Sequence, residues 1–223
     1  MSAQHLTFHN QNFKASFAAC PPSIATDNSS YDAWDNFIEQ SCARHGLKDP
    51  WPMLVKSQCI QESAFDEYAV SSDLPCGDPV GWGKVSIMIR GQTKYVDEGN
   101  SFGAMQITPA CGAAPDILLS NGHPNLTTDP TDPRWNTSVF NPQKNIDAGV
   151  SDLAQILSRM KSKYRSCSEV QYIKATLGVY NSGEEAISGC GSYNQRAESY
   201  ISAVLGHYHV FARKANYPNL LGL

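Results

Sequence analysis

No stretch of this chain stays apolar long enough to cross a bilayer, which excludes a membrane-spanning helix. Charge is scarce as well. Charged residues make up 17% of the 223, against roughly a quarter in soluble domains. The net charge is −4 with no Lys/Arg run or basic stripe, so the electrostatics of a nucleic-acid binder are missing. The seven cysteines contain no CxxC pair, and no HExxH, EF-hand or phosphate-loop pattern occurs. His207 and His209 lie too close together on one helix to face a single metal. Neither a metal nor a cofactor is therefore expected. The G-x-S-x-G of a serine hydrolase is lacking too. With no repeat and no low-complexity segment, the chain reads as one domain with a sizeable core. Met1 to Lys14 has no apolar signal-peptide segment, so a mature sequence behind an initiator Met is expected.

The cysteines that are present, Cys20, Cys42, Cys59, Cys76, Cys111, Cys167 and Cys190, are scattered. Such spacing suits disulfides formed in an oxidising compartment, with one thiol left over. Asn28, Asn125 and Asn136 each open a glycosylation acceptor pattern. Together these features predict a secreted eukaryotic protein.

Local signals divide the chain. Residues 1–28 are polar, Pro21-Pro22 breaks any regular element, and the segment reads as a surface arm that Cys20 could strap down. A helix is predicted from Tyr31 to His45, with Trp34, Phe37, Ile38 and Cys42 in phase and Gly46 to stop it. A second opens with Asp49 as N-cap and Pro50 in the first position; Trp51, Leu54, Val55 and Cys59 form its apolar stripe. Val85, Ile87 and Ile89 then alternate with Ser86 and Met88, a turn falls at Arg90–Thr93, and Lys94-Tyr95-Val96 completes the one predicted β-hairpin. Further helices are predicted after Asn141-Pro142, after the cap Ser168, and over 194–214. Residues 29–215 are the expected domain and 216–223 a tail. Disulfides are expected between Cys76 and Cys111 across the hairpin region, and between Cys167 and Cys190 around the helix that follows Ser168.

Glu62 falls on the apolar stripe of the second helix. A carboxylate there is costly to ionise, so its pKa is expected to rise from about 4.3 towards about 6, where a general acid works. The bland alternative is a helix-end Glu turned to solvent. Asp97, in a polar Gly-rich loop beyond the hairpin, has the opposite environment. Two carboxyls whose pKa values are pushed apart supply the acid and base of glycosidic bond cleavage.

Gln61-Glu62-Ser63, Ala69-Val70-Ser71, the run Gly103-Ala104-Met105-Gln106-Ile107-Thr108-Pro109 and Tyr180-Asn181-Ser182-Gly183 occur in that order within residues 49–210. They resemble the motifs of the goose-type lysozyme and soluble lytic transglycosylase family. The resemblance implies a mainly helical, α+β lysozyme-like fold with a small β-hairpin beside the active-site cleft. It implies Glu62 as the catalytic acid, Met105 and Gln106 lining the glycan cleft with Ser71 and Asn181, and Tyr180 approaching Glu62. Asp97-Glu98-Gly99-Asn100-Ser101-Phe102-Gly103 is similar to the goose-type loop that carries an acid which lytic transglycosylases generally lack. Asp97 is thereby implied as the base. The hairpin at 84–96 looks like an insertion, and Thr108 stands where goose-type enzymes have a further Asp. Asp73 and Asp78 are substitutes for the base.

The function expected is a secreted, monomeric, inverting muramidase acting on peptidoglycan strands, with no nucleic-acid or membrane partner. Alternatives are a lytic transglycosylase, a chitinase, and a glycan-binding or effector protein without catalysis. Net negative charge gives no steering towards anionic walls at neutral pH, and the expected optimum is acidic, around 4 to 6.

Overall fold

The computed structural model describes residues 23–26, 28–77, 82–112, 115–119, 121–219 and 221–222. Most of the predicted arm, with Cys20 and Pro21-Pro22, and the substitute base Asp78 lie outside the described residues. The predicted first helix is broken into α1 (Ser29–Asp32) and α2 (Asp35–Arg44). The cause lies in α3 (Trp51–Ser63), whose Lys56 is fully buried. Its ammonium donates to Ile24 O at 2.7 Å, Asp32 Oδ1 at 2.6 Å and Asp35 Oδ2 at 2.9 Å. Turning the chain at Ala33-Trp34 brings both carboxylates onto one cation and compensates a desolvation that a lone buried charge would not survive. Burial still pushes Asp35 up to about 6 despite the Lys56 contact. Against its own burial, Asp32 is held below its usual range by hydrogen bonds from Lys56 and Thr26.

α3 is not the one-striped helix the spacing predicts. From Met53 to Cys59 every side chain is buried, the polar ones included. Ser57 Oγ donates to Met53 O at 2.7 Å, and Gln58 Nε2 donates to Tyr200 OH at 3.1 Å. The helix starts at Trp51 with Pro50 at the cap. Asp49 accepts instead from Tyr217 OH at 2.6 Å, and Tyr217 and Leu221 of the predicted tail are buried in the core.

The remaining helices pack around this centre. α4 (Pro142–Lys163) lies against α2 and α5 (Glu169–Ser182), and α6 (Gln195–Lys214) lies along α3. The starts of α4 and α5 obey the predicted signals: Asn141 Oδ1 accepts from Lys144 N at 3.2 Å, and Ser168 and Gln171 form a capping box; α6 is capped by Asn194, which the sequence reading placed inside the helix. Strands β1 (Lys84–Ile89) and β2 (Gln92–Asp97) form the hairpin. Its turn is the two-residue Arg90-Gly91, with φ of 50° and 77°, shorter than the four residues predicted. A second ladder, β3 (Ile187–Gly189) with β4 (Ser192–Tyr193), is too short to show alternation in the sequence. The fold is α+β and lysozyme-like, as expected, and no described helix is long and apolar enough to cross a membrane.

Both expected disulfides, Cys76–Cys111 and Cys167–Cys190, are formed. The expectation of a single spare thiol is corrected: Cys42 and Cys59 are both free, because they lie inside the core. Burial pushes Cys42 up to about 12, so it stays a thiol. Asn125 is no glycosylation acceptor. It is 1% exposed, and its Nδ2 donates to Arg134 O at 2.7 Å and Thr137 Oγ1 at 2.8 Å.

Buried Asn145 of α4 fixes the loop that passes beneath the cleft. Its Nδ2 donates to Phe102 O at 2.8 Å and Val139 O at 2.9 Å, and its Oδ1 accepts from Met105 N at 2.8 Å. Gly103 fits this corner because its φ is +74° and an added Cβ would sit 2.4 Å from Asn145 Nδ2. Asn145→Ala strips three buried backbone groups of partners and should lower stability by about 2–4 kcal/mol in urea unfolding. Unchanged stability would mean that water replaces the amide there.

Candidate active site

Glu62 is the penultimate residue of α3 and half-buried. Burial pushes its pKa up to about 7, above the value of about 6 expected, and a hydrogen bond from Tyr200 OH to Oε1 pulls it partly back. The helix C-terminus carries partial negative charge, which also disfavours the anion. Gln58 Nε2 donates to the same phenol oxygen at 3.1 Å, leaving the Tyr200 proton for Glu62.

Tyr200 is a site residue that sequence reasoning missed. It lies between Ala197 and Val204 on the buried face of α6. Its signal was a tyrosine on an apolar stripe, whose hydroxyl needs a buried partner. Tyr180, expected to approach Glu62, donates instead to Met105 O at 2.8 Å. It is still near enough for the Glu62 charge to add to the burial that raises its own pKa.

Glu62 opens on a cleft of about 270 Å³. Of the residues expected at substrate, Ser71, Gln106, Tyr180 and Asn181 line it. Met105 does not line it; its fully buried side chain packs against Gly149, where an added Cβ would lie 2.6 Å from Sδ. Gln106 has φ 50° and is tied by Nε2 to Gly103 O at 3.0 Å and Ala69 O at 3.3 Å. Asn181 Oδ1 accepts from Ser182 Oγ at 3.0 Å and, at 3.4 Å, from Arg196 Nε, a cation on the cleft wall absent from the expected set. Larger grooves of about 510 and 420 Å³ flank the hairpin, but neither contains Glu62.

Among the described residues the second carboxylate on the cleft wall is Asp73; Asp97 is not among those that line it. Asp97 Oδ1 accepts from Gly99 N at 2.9 Å and so closes its own loop. Asn100 links the two acids: its Oδ1 accepts from Asp97 N at 2.9 Å and its Nδ2 donates to Asp73 O at 3.0 Å. Ser71 Oγ donates to the same Asp73 carbonyl at 3.0 Å, and the nearby Cys76–Cys111 bond pins the loop against the cleft. Among the described residues no group of His, Cys, Asp and Glu could hold a metal ion.

Residues 43–202, more than half of the chain, match the family model described as the transglycosylase SLT domain. No curated protein matches the chain.

The Glu62 shift has two measurable signs. The folded state binds this proton more tightly than the unfolded chain, so its stabilisation is complete below about 4.5 and lost as pH rises through about 7. Glu62→Gln, neutral throughout, should raise Tm over wild type more at about pH 8 than at about pH 4; a difference independent of pH would contradict the shift. Tyr200→Phe removes a bond that favours the carboxylate. The alkaline limb of the rate profile should move to higher pH while the rate on its plateau falls; an unmoved limb would leave Tyr200 a packing residue.

Proposed function

This chain belongs to the transglycosylase SLT domain family, and we propose that it is a secreted muramidase hydrolysing the β-1,4 bond between N-acetylmuramic acid and N-acetylglucosamine in peptidoglycan. Family membership supports cleavage of peptidoglycan glycosidic bonds; hydrolysis, secretion and the residue roles are the proposal. Residues 29–215 would form the catalytic domain. The two disulfides support an oxidising compartment.

The observation that carries this reading is a carboxyl with a pKa near 7 at the edge of a cleft. Because Tyr200 donates to Oε1, the acidic proton belongs on Oε2. Oε2 passes it to the glycosidic oxygen as the bond to the anomeric carbon breaks. Water adds to that carbon from the opposite face, giving inversion, and its proton goes to a second carboxylate. The sequence reading gives that second role to Asp97. The cleft favours Asp73, which lines it with a fixed backbone, while Asp97 Oδ1 is engaged by Gly99 N. Asp97 then acts as a buttress, through Asn100.

The family description itself favours a second reading, lytic transglycosylation. There the 6-hydroxyl of the substrate replaces water, and Glu62, once ionised, takes the hydroxyl proton.

Digestion of peptidoglycan in ¹⁸O-labelled water tests the two. Hydrolysis predicts labelled reducing ends, no cleavage by Glu62→Gln, and a rate loss on the order of 10²–10⁴ in Asp73→Asn with a much smaller loss in Asp97→Asn. Unlabelled 1,6-anhydro ends with an active Asp73→Asn variant would make the protein a transglycosylase. The larger loss in Asp97→Asn would return the base to Asp97.

A further inference from the structure

The groove of about 510 Å³ beside β2 has Ser71 in common with the Glu62 cleft, so the two adjoin at that residue. A linear polymer held across Glu62 must leave the cleft along adjoining surface, and on the Ser71 side that surface is the open edge of β2.

The hairpin register decides which backbone groups that edge offers. The Arg90-Gly91 turn closes on Ile89↔Gln92, so the mutually hydrogen-bonded pairs are Ile89↔Gln92, Ile87↔Lys94 and Val85↔Val96. Thr93, Tyr95 and Asp97 fall in the alternate pairs, and their N–H and C=O point away from β1. Two contacts fit this phase: Asp97 N donates to Asn100 Oδ1 at 2.9 Å, and Met88 O, opposite Thr93, accepts from Thr128 Oγ1 at 2.6 Å. With the Asp97 N–H taken, the outward-facing edge is confined to Thr93 and Tyr95. Tyr95 also carries the most exposed large hydrophobic side chain of the molecule's described part, at 80%, on the wall of the groove.

We infer that the β2 groove binds an N-acetylated sugar of the glycan, beyond the residues that flank the scissile bond. The N–H and C=O of Tyr95 pair with the C=O and N–H of the acetamido group, and the Tyr95 ring supplies an apolar face beside the pyranose. A peptide stem of the wall offers the same amide chemistry. Docking a stem by strand addition needs a longer free edge than Thr93 to Tyr95, so the sugar is the occupant. The identity of the polymer rests on the muramidase reading; the groove and its edge do not.

Calorimetric titration of the Glu62→Gln protein with N-acetylglucosamine oligomers of increasing length tests the site. Affinity should gain a further step once the oligomer reaches β2. Tyr95→Ala in the same background should remove that step, a loss of roughly tenfold, or about 1.4 kcal/mol, confined to the longer oligomers. Tyr95→Pro deletes the outward N–H at an edge position that tolerates proline, and should give the same length-dependent loss. Circular dichroism and Tm verify that each variant is folded. A loss equal at all lengths, no loss at any length, or no binding of any oligomer would overturn the site. Binding of a free stem tetrapeptide that Tyr95→Pro abolishes would hand the groove to the peptide. Cleavage of peptidoglycan by the wild-type chain is scored separately: sugar binding at Tyr95 without cleavage would retire the muramidase reading and keep the groove, and the reverse result would retire only the groove.

Discussion

The carboxyl of Glu62 is held by one phenol hydroxyl where water cannot fully solvate its anion, and much of the fold follows from building such a place. A helix end usually lies at the surface. Here α3 is buried around its whole circumference from Met53 to Cys59, so its last turn emerges already flanked by protein. Burying that circumference requires partners for its polar residues. Lys56 finds them in Asp32, Asp35 and Ile24, which is why the chain before α3 breaks into two helices. Gln58 finds its partner in Tyr200, the same hydroxyl that orients Glu62. Support for the core and control of the acid thus share one hydrogen-bond chain.

The opposite wall is held by neutral contacts. Asn145 clamps the backbone at Phe102, Met105 and Val139, Met105 fills the space left by Gly149, and Tyr180 ties the Met105 carbonyl to α5. Gln106 emerges from this packed corner in a left-handed conformation that aims it at the cleft. A wall built in this way is fixed by hydrogen bonds and packing before any ligand arrives.

Local signals carried the later helices. Asn141, Ser168 and Asn194 cap where their side chains can reach the first free N–H groups, and the long stripe of α4 reports its one buried face. For Glu62 the environment was legible in part: Val55 and Cys59, which share its helical phase, are buried, and its own pKa is pushed up. Where a residue's partner is distant in sequence, periodicity said little. Lys56 has no partner near it in sequence, for Asp32 and Asp35 come from the helices before α3, and Asn125 reads as a glycosylation acceptor until Arg134 and Thr137 take its amide. Tyr180 and Tyr200 both sit in apolar stripes, and nothing local tells which hydroxyl reaches Glu62 and which reaches Met105. The two acids of the 73–100 region differ for a similar reason. The sequence shows Asp97 beside glycines, but the Asn100 side chain and the Cys76–Cys111 bond present Asp73 to the cleft.

The role proposed for Glu62 depends on its keeping its proton near neutrality. Labelling the glutamate carboxyl carbons with ¹³C and following the Glu62 resonance against pH measures that property in the free protein, with no substrate and no assumption about the reaction. A midpoint near 7 is the result expected. A midpoint near the ordinary 4.5 would show a solvated helix-end carboxylate and remove the basis for Glu62 as the proton donor.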